Sequence, residues 1–183
     1  MRNFIKYFLE IKEYEYEKAI KLANQAELEE LLAKFVEKGD LTPAQQCADR
    51  FGRKLKPTEL KKILEASFQK DWLFIIFRAI DLFATDQRTD LLEKYLTKYI
   101  ERGFLASAQQ CADRIGRKLK PTELEKILEV CLEEGWYKSA PACADKLAEP
   151  RRSTKLEEIL DICVEKIDGD TAEICVNKLL LMQ

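Results

Sequence analysis

Thirty-three acidic side chains, six cysteines and no histidine bound the chemistry open to this chain. Histidine is the commonest general base and the commonest neutral metal ligand, so the usual acyl-transfer arrangements have no base here. Thiols can bind metal or pair as disulfides. Yet Cys47, Cys111, Cys131, Cys143, Cys163 and Cys175 contain no Cys-x-x-Cys pair and no zinc spacing. No glycine-rich phosphate loop is present. Carboxylates are paired in two columns, Glu125, Glu129, Glu133 and Glu157, Asp161, Glu165, each stepping by four residues. Residues at that step lie above one another on a helix face, so helical periodicity explains the columns without a reaction. The chain is read as a non-enzyme without cofactor or metal.

The elements that carry these groups recur. Leu28, Leu60, Leu92, Leu124 and Leu156 stand 32 residues apart, and Leu32, Leu64, Leu96, Leu128 and Leu160 keep the same step. Within one unit, Leu28, Leu31, Leu32, Phe35 and Val36 make one helical face. Gly39 ends that helix (A), and Leu41, Ala44, Cys47, Ala48 and Phe51 pattern a second (B), closed by Gly52. Gly103 and Gly135 end two further A helices. Small residues recur at Ala44, Ala108, Ala140 and Ala172. Thr58, Asp90, Thr122 and Thr154 precede the first Leu of each next unit and are predicted N-caps. Glu93, Glu125 and Glu157 follow three of them in capping-box spacing. Pro57 and Pro121 would block helix from upstream. The expected unit is a hairpin of two helices, each about 13 residues and ~20 Å long.

The predicted fold is all-α, an α-solenoid of about six antiparallel hairpins and about twelve helices. Residues 1–24 read as an N-terminal capping hairpin on Phe4, Phe8, Ile11, Tyr16, Ala19, Ile20 and Ala23. Residues 25–183 read as five repeats of 32. Ala44–Glu65 and Ala108–Glu129 differ only at Phe51/Ile115 and Lys61/Glu125, which marks a duplicated double unit. Net charge is −2, so no global field draws the chain onto nucleic acid or anionic membrane. No run approaches the ~20 apolar residues of a membrane span, and Met1 to Lys21 lacks a signal peptide's apolar core. A cytoplasmic setting is expected. The cysteines alternate with Ala, Ser and aromatics at their repeat positions, the behaviour of small buried hydrophobes. Equivalent thiols in neighbouring hairpins should lie about 10 Å apart, beyond the ~7 Å Cα limit of a disulfide.

The pattern of Leu28, Leu31, Phe35, Gly39 and Ala44, repeated at Gly103/Ala108 and Gly135/Ala140, resembles the tetratricopeptide repeat. The family's usual Trp is Leu here, its small helix-A residue is Leu32 and its equivalents, and the unit is shorter than the usual ~34 residues. The resemblance implies a right-handed superhelix whose A helices line a concave groove for segments of partner proteins.

Three surfaces follow. By the resemblance, Glu125, Glu129, Glu133, Glu157, Asp161 and Glu165 line an acidic groove for a basic or amphipathic partner segment, with Glu29, Glu37, Glu93 and Glu101 extending it. Loops between units carry Arg50, Arg53, Lys54 and Lys56, then Arg114, Arg117, Lys118 and Lys120, then Lys146, Arg151 and Arg152. Arg53, Lys54, Lys56, Arg117, Lys118 and Lys120 are candidate anion contacts, and the alternative function is RNA or anion binding. Few aromatics interleave with them to stack bases. Third, Trp72, Phe74, Ile75, Phe77 and Leu82 form an apolar patch on the 72–83 helix, open to self-association or a partner. The leading function is a protein-interaction scaffold.

Overall fold

A computed structural model describes residues 16–166 and 168–181. These are all-helical, with no strand among them. The chain divides into two compact units, Met1–Arg88 and Thr89–Gln183. The expected contacts of Phe4, Phe8 and Ile11 fall outside the described residues.

In the first unit, α1 (Tyr16–Leu22) leads to α2 (Gln25–Lys38), α3 (Leu41–Arg50), α4 (Pro57–Gln69) and α5 (Leu73–Ile80). Helix α2 packs on α3, α4 packs on α5, and α2 lies beside α4. The leucine ladder is the reason: Leu28, Leu32, Leu60 and Leu64 are all buried, each contributing roughly 1.5–3 kcal/mol of transfer free energy. Polar ties join successive hairpins. Arg50 donates to the carbonyls of Ile20 and Ala23, Ser67 Oγ donates to Gly39 O at 3.3 Å, and Lys70 Nζ donates to Lys38 O at 2.7 Å.

Helix α6 (Thr85–Glu101) begins just before the boundary between the units. The second unit continues with α7 (Leu105–Ile115), α8 (Pro121–Glu133), α9 (Ala140–Ala144), α10 (Arg151–Glu165) and α11 (Gly169–Leu180). Cys131 Sγ reaches Gly103 O at 3.5 Å, repeating the Ser67–Gly39 tie. The B helices are shorter than expected. Helix α9 has five residues and follows a 3-10 turn over Tyr137–Ser139. Pro141 causes this, because its ring clashes with the carbonyl four residues upstream and excludes an α-turn there.

The A helices end as read. Gly39 (φ 79) closes α2, with Gly39 N donating to Val36 O at 3.2 Å and Asp40 N to Phe35 O at 2.9 Å. This pair of bonds is a Schellman cap. The helix starts differ from the reading. Helices α4 and α8 begin at Pro57 and Pro121, so their N-caps are Lys56 and Lys120, not Thr58 and Thr122. Proline fits the first helical position because its missing N–H has no intrahelical partner there. Glu59 and Glu123 then reach back to the Lys56 and Lys120 amides at 2.6 and 2.7 Å. Asp90 lies inside α6 and Thr154 inside α10, where Thr154 Oγ1 bonds Pro150 O at 3.2 Å. The capping box that does form, Asn24 with Glu27, opens α2.

Candidate functional site

Between α2 and α4 runs a cavity of ≈ 680 Å³. One α2 face forms a wall: Glu29, Leu32, Ala33, Val36 and Glu37. Leu32 and Val36 are buried and make its floor, while Glu29, Ala33 and Glu37 stand at the exposed rim. Opposite are Thr58, Glu59 and Lys62 of α4, with Phe51, Arg53 and Lys56 from the loop before it. A second hollow continues between Glu37 and the Lys61, Lys62 and Glu65 side of α4. The cleft has an apolar floor, carboxylates on the α2 rim, and on the α4 rim Lys56 and Lys62 beside the Arg53–Glu59 pair.

Arg53 grips Glu59 through two bonds, at 2.9 and 2.8 Å, and its guanidinium carbon lies 5.8 Å from the Phe51 ring centroid. That distance is within cation–π range. The Arg53 bond holds the Glu59 carboxyl below its usual value, and the Glu59 bond raises Arg53 in turn. Glu29 acts on Arg53 through space, but no described basic side chain hydrogen-bonds to it.

The duplicated residues in the second unit adopt another arrangement. Arg117 bonds Glu123 at 2.8 and 2.9 Å and also Glu93 at 3.1 and 2.9 Å. Glu93 is the counterpart of Glu29. The same guanidinium that leaves one carboxylate free in the first unit bridges both in the second. Arg117 is raised above its usual value, first by Glu123 and then by Glu93.

The six acidic groove candidates sit on α8 and α10, half-buried at Glu125 and exposed at Glu129, Glu133, Glu157, Asp161 and Glu165. Glu125 pairs with Arg151 at 3.2 Å and Glu129 with Lys126 at 3.0 Å. The closest backbone neighbours of α10 are α9 and α11, unlike the direct α2–α4 pairing in the first unit. In the apolar patch, Phe74 is 70% exposed, and Trp72 and Leu82 are open, but Phe77 is buried and Ile75 half-buried. Lys70 covers the Trp72 ring at 4.1 Å and Arg78 lies 5.8 Å from that of Phe74. Of the anion candidates, Arg53 and Arg117 are spent on carboxylates, while Lys54, Lys56, Lys118 and Lys120 point into solvent. An anion at either helix start would meet Glu59 or Glu123 already capping it.

All six cysteines are free and buried. Comparing equivalent positions between hairpins overlooked the neighbours within one hairpin: Cys143 Sγ donates to Ser139 O at 3.7 Å, and the nearby Cys131 thiol, with burial, holds the Cys143 thiol up. No group of three or more metal-ligating side chains forms among the described residues, and none of their helices is long and apolar enough to cross a membrane. The sequence reading placed Glu29 and Glu37 on an extension of the acidic groove and Arg53 and Lys56 among the anion contacts, but did not bring them together around Leu32, Val36 and Phe51.

In comparisons with known proteins, no family model, curated protein or solved structure matches the chain.

Proposed function

We propose that this chain is a non-enzymatic protein-interaction scaffold built of tetratricopeptide-like hairpins stacked as an α-solenoid, binding an amphipathic partner segment that carries basic residues. One observation carries the reading: the α2–α4 cleft, in which A helices lie side by side over an apolar floor between charged rims. Its volume falls within the ~300–1,000 Å³ range of binding clefts. Buried Leu32 and Val36 supply apolar contact, and the rim charges orient the segment. The acidic faces of α8 and α10 offer a further surface to segments of the same charge. Six free thiols suit a reducing, cytoplasmic setting.

Fluorescence anisotropy with labelled peptides of alternating Lys-Leu, Arg-Leu and Glu-Leu composition tests this. The basic peptides should bind the full chain, and Ala33→Trp, which fills the cleft from its exposed rim, should abolish binding. Equal binding to wild type and Ala33→Trp, or no binding of any peptide at low salt, would overturn the reading.

A further inference from the structure

The two copies of the duplicated segment form an internal comparison. In the second unit the carboxylate of Glu93 takes a guanidinium, supplied by Arg117 of the same chain. In the first unit Glu29 holds the equivalent place, and the equivalent Arg53 stays on Glu59. The duplicated segments differ at two positions only, and one of them, Phe51 for Ile115, lies under the guanidinium. An aromatic face attracts a cation that an aliphatic side chain does not hold. Arg53 lies 5.8 Å from the Phe51 ring centroid while bonded to Glu59, and Phe51 adds its ring to the cleft lining.

We propose that Glu29 is the anchor of the α2–α4 cleft and that it takes an arginine side chain of the partner, next to an apolar side chain seated on Leu32, Val36 and Phe51. The partner's guanidinium completes the ion pair that Arg117 completes internally in the other unit. A planar guanidinium matches a carboxylate with two parallel bonds, which a lysine ammonium cannot do. The cations on the opposite rim, Lys56 and Lys62, set the direction in which the segment lies by repelling its arginine from the α4 side. This inference rests on the cleft being a binding site.

A random peptide library displayed on phage, selected against the full chain, tests it. Enriched sequences are then synthesised with arginine or with neutral citrulline. The expected result is an arginine beside an apolar residue in the enriched set, with affinity falling about tenfold on Glu29→Gln, on citrulline replacement, and on Phe51→Ile. Glu93→Gln should leave affinity unchanged. Peptides lost on Ala33→Trp but indifferent to Glu29→Gln and to citrulline would refute the arginine anchor while leaving the cleft as a binding site. An empty selection, or peptides indifferent to Ala33→Trp, would remove the cleft as a site and the anchor with it.

Discussion

Arg117 holds Glu93 across 24 residues of chain through two bonds, Nε to Oε1 at 3.1 Å and Nη2 to Oε2 at 2.9 Å. With Glu123 on the same guanidinium, this ties α6 to the start of α8. Arg53 makes the local half of this arrangement alone. Hydrogen bonds to charged groups contribute ~1.5–3 kcal/mol, and exposure lowers that. Arg117→Ala should therefore cost about 2 kcal/mol and Arg53→Ala about 1 kcal/mol. Amide hydrogen exchange on α6 and α8 against α2 and α4 reads the two units separately. Equal losses would mean that the Glu93 bonds stabilise nothing.

The two helix-start glutamates set an acid limit. Arg53's bond is the main reason Glu59 is lowered, against burial and with help from the Lys56 amide. At Glu123 burial is the largest influence and pushes upward, but the Arg117 bond and the Lys120 amide outweigh it. Both folded values lie below the unfolded ~4.3. Their contribution is complete above that pH and is lost as pH falls through the folded values. Thermal melts from pH 6 to 3 should show a steeper loss below about pH 4.3 in wild type than in Glu59→Gln/Glu123→Gln. Parallel curves would show that these carboxyls do not control acid stability.

The leucine ladder was legible because core positions of a helix repeat whatever the neighbouring loops do. Of the ten ladder leucines, all are buried except Leu160, which is half-buried. The caps were misread at Thr58 and Thr122 because Pro57 and Pro121 claim the first helical position and push the cap onto a lysine. No side chain of Lys56 or Lys120 can accept a hydrogen bond, so Glu59 and Glu123 cap in reverse. The cleft was least legible. Near-identical residues give an open arrangement around Arg53 and a bridged one around Arg117, so the outcome depends on side-chain geometry that periodicity does not encode.

Asp71 (φ 53) stands at the repeat position of Gly39, Gly103 and Gly135, with the same left-handed backbone. That conformation costs a side chain roughly 1–2 kcal/mol, less for Asp. Asp71→Gly should leave stability unchanged or raise it by up to about 1 kcal/mol. Gly39→Ala should be far worse than Gly116→Ala. A Cβ at Gly39 would meet Ser67 Oγ at 3.0 Å and Ala66 Cβ at 3.1 Å, whereas at Gly116 nothing lies within 4 Å. Urea melts of the three variants check the order, and a Gly116→Ala loss as large as that of Gly39→Ala would contradict it.

Phe74 and Phe77 sit one helical turn apart and should respond oppositely to charge. Phe74→Glu places a carboxylate at a 70% exposed site beside Arg78 and should change stability by no more than about 0.5 kcal/mol. Phe77→Glu buries an unpaired charge among apolar neighbours and should unfold α4 and α5. Circular dichroism separates the outcomes. Light scattering on Phe74→Glu alone then tests self-association through this helix, since a change of oligomeric state in a Phe77 variant would report unfolding instead.

The thiols should be inert while the chain is folded. Burial pushes Cys47 and Cys175 up to about 11 and Cys111 up to about 12, so almost no thiolate exists at pH 8. The thiolate is the nucleophile in alkylation, and all six sulfur-bearing side chains are buried besides. Iodoacetamide at pH 8 should leave the native chain unmodified over a period that labels every cysteine in urea, as read by intact mass. Cys143 should be among the slowest, because the neighbouring Cys131 thiol adds to burial in holding it up. Replacing Cys131 with Ala removes that neighbouring thiol and opens a space beside Cys143, so native labelling at Cys143 should then accelerate. Unchanged protection in Cys131→Ala would mean that packing around α9 alone shields this thiol.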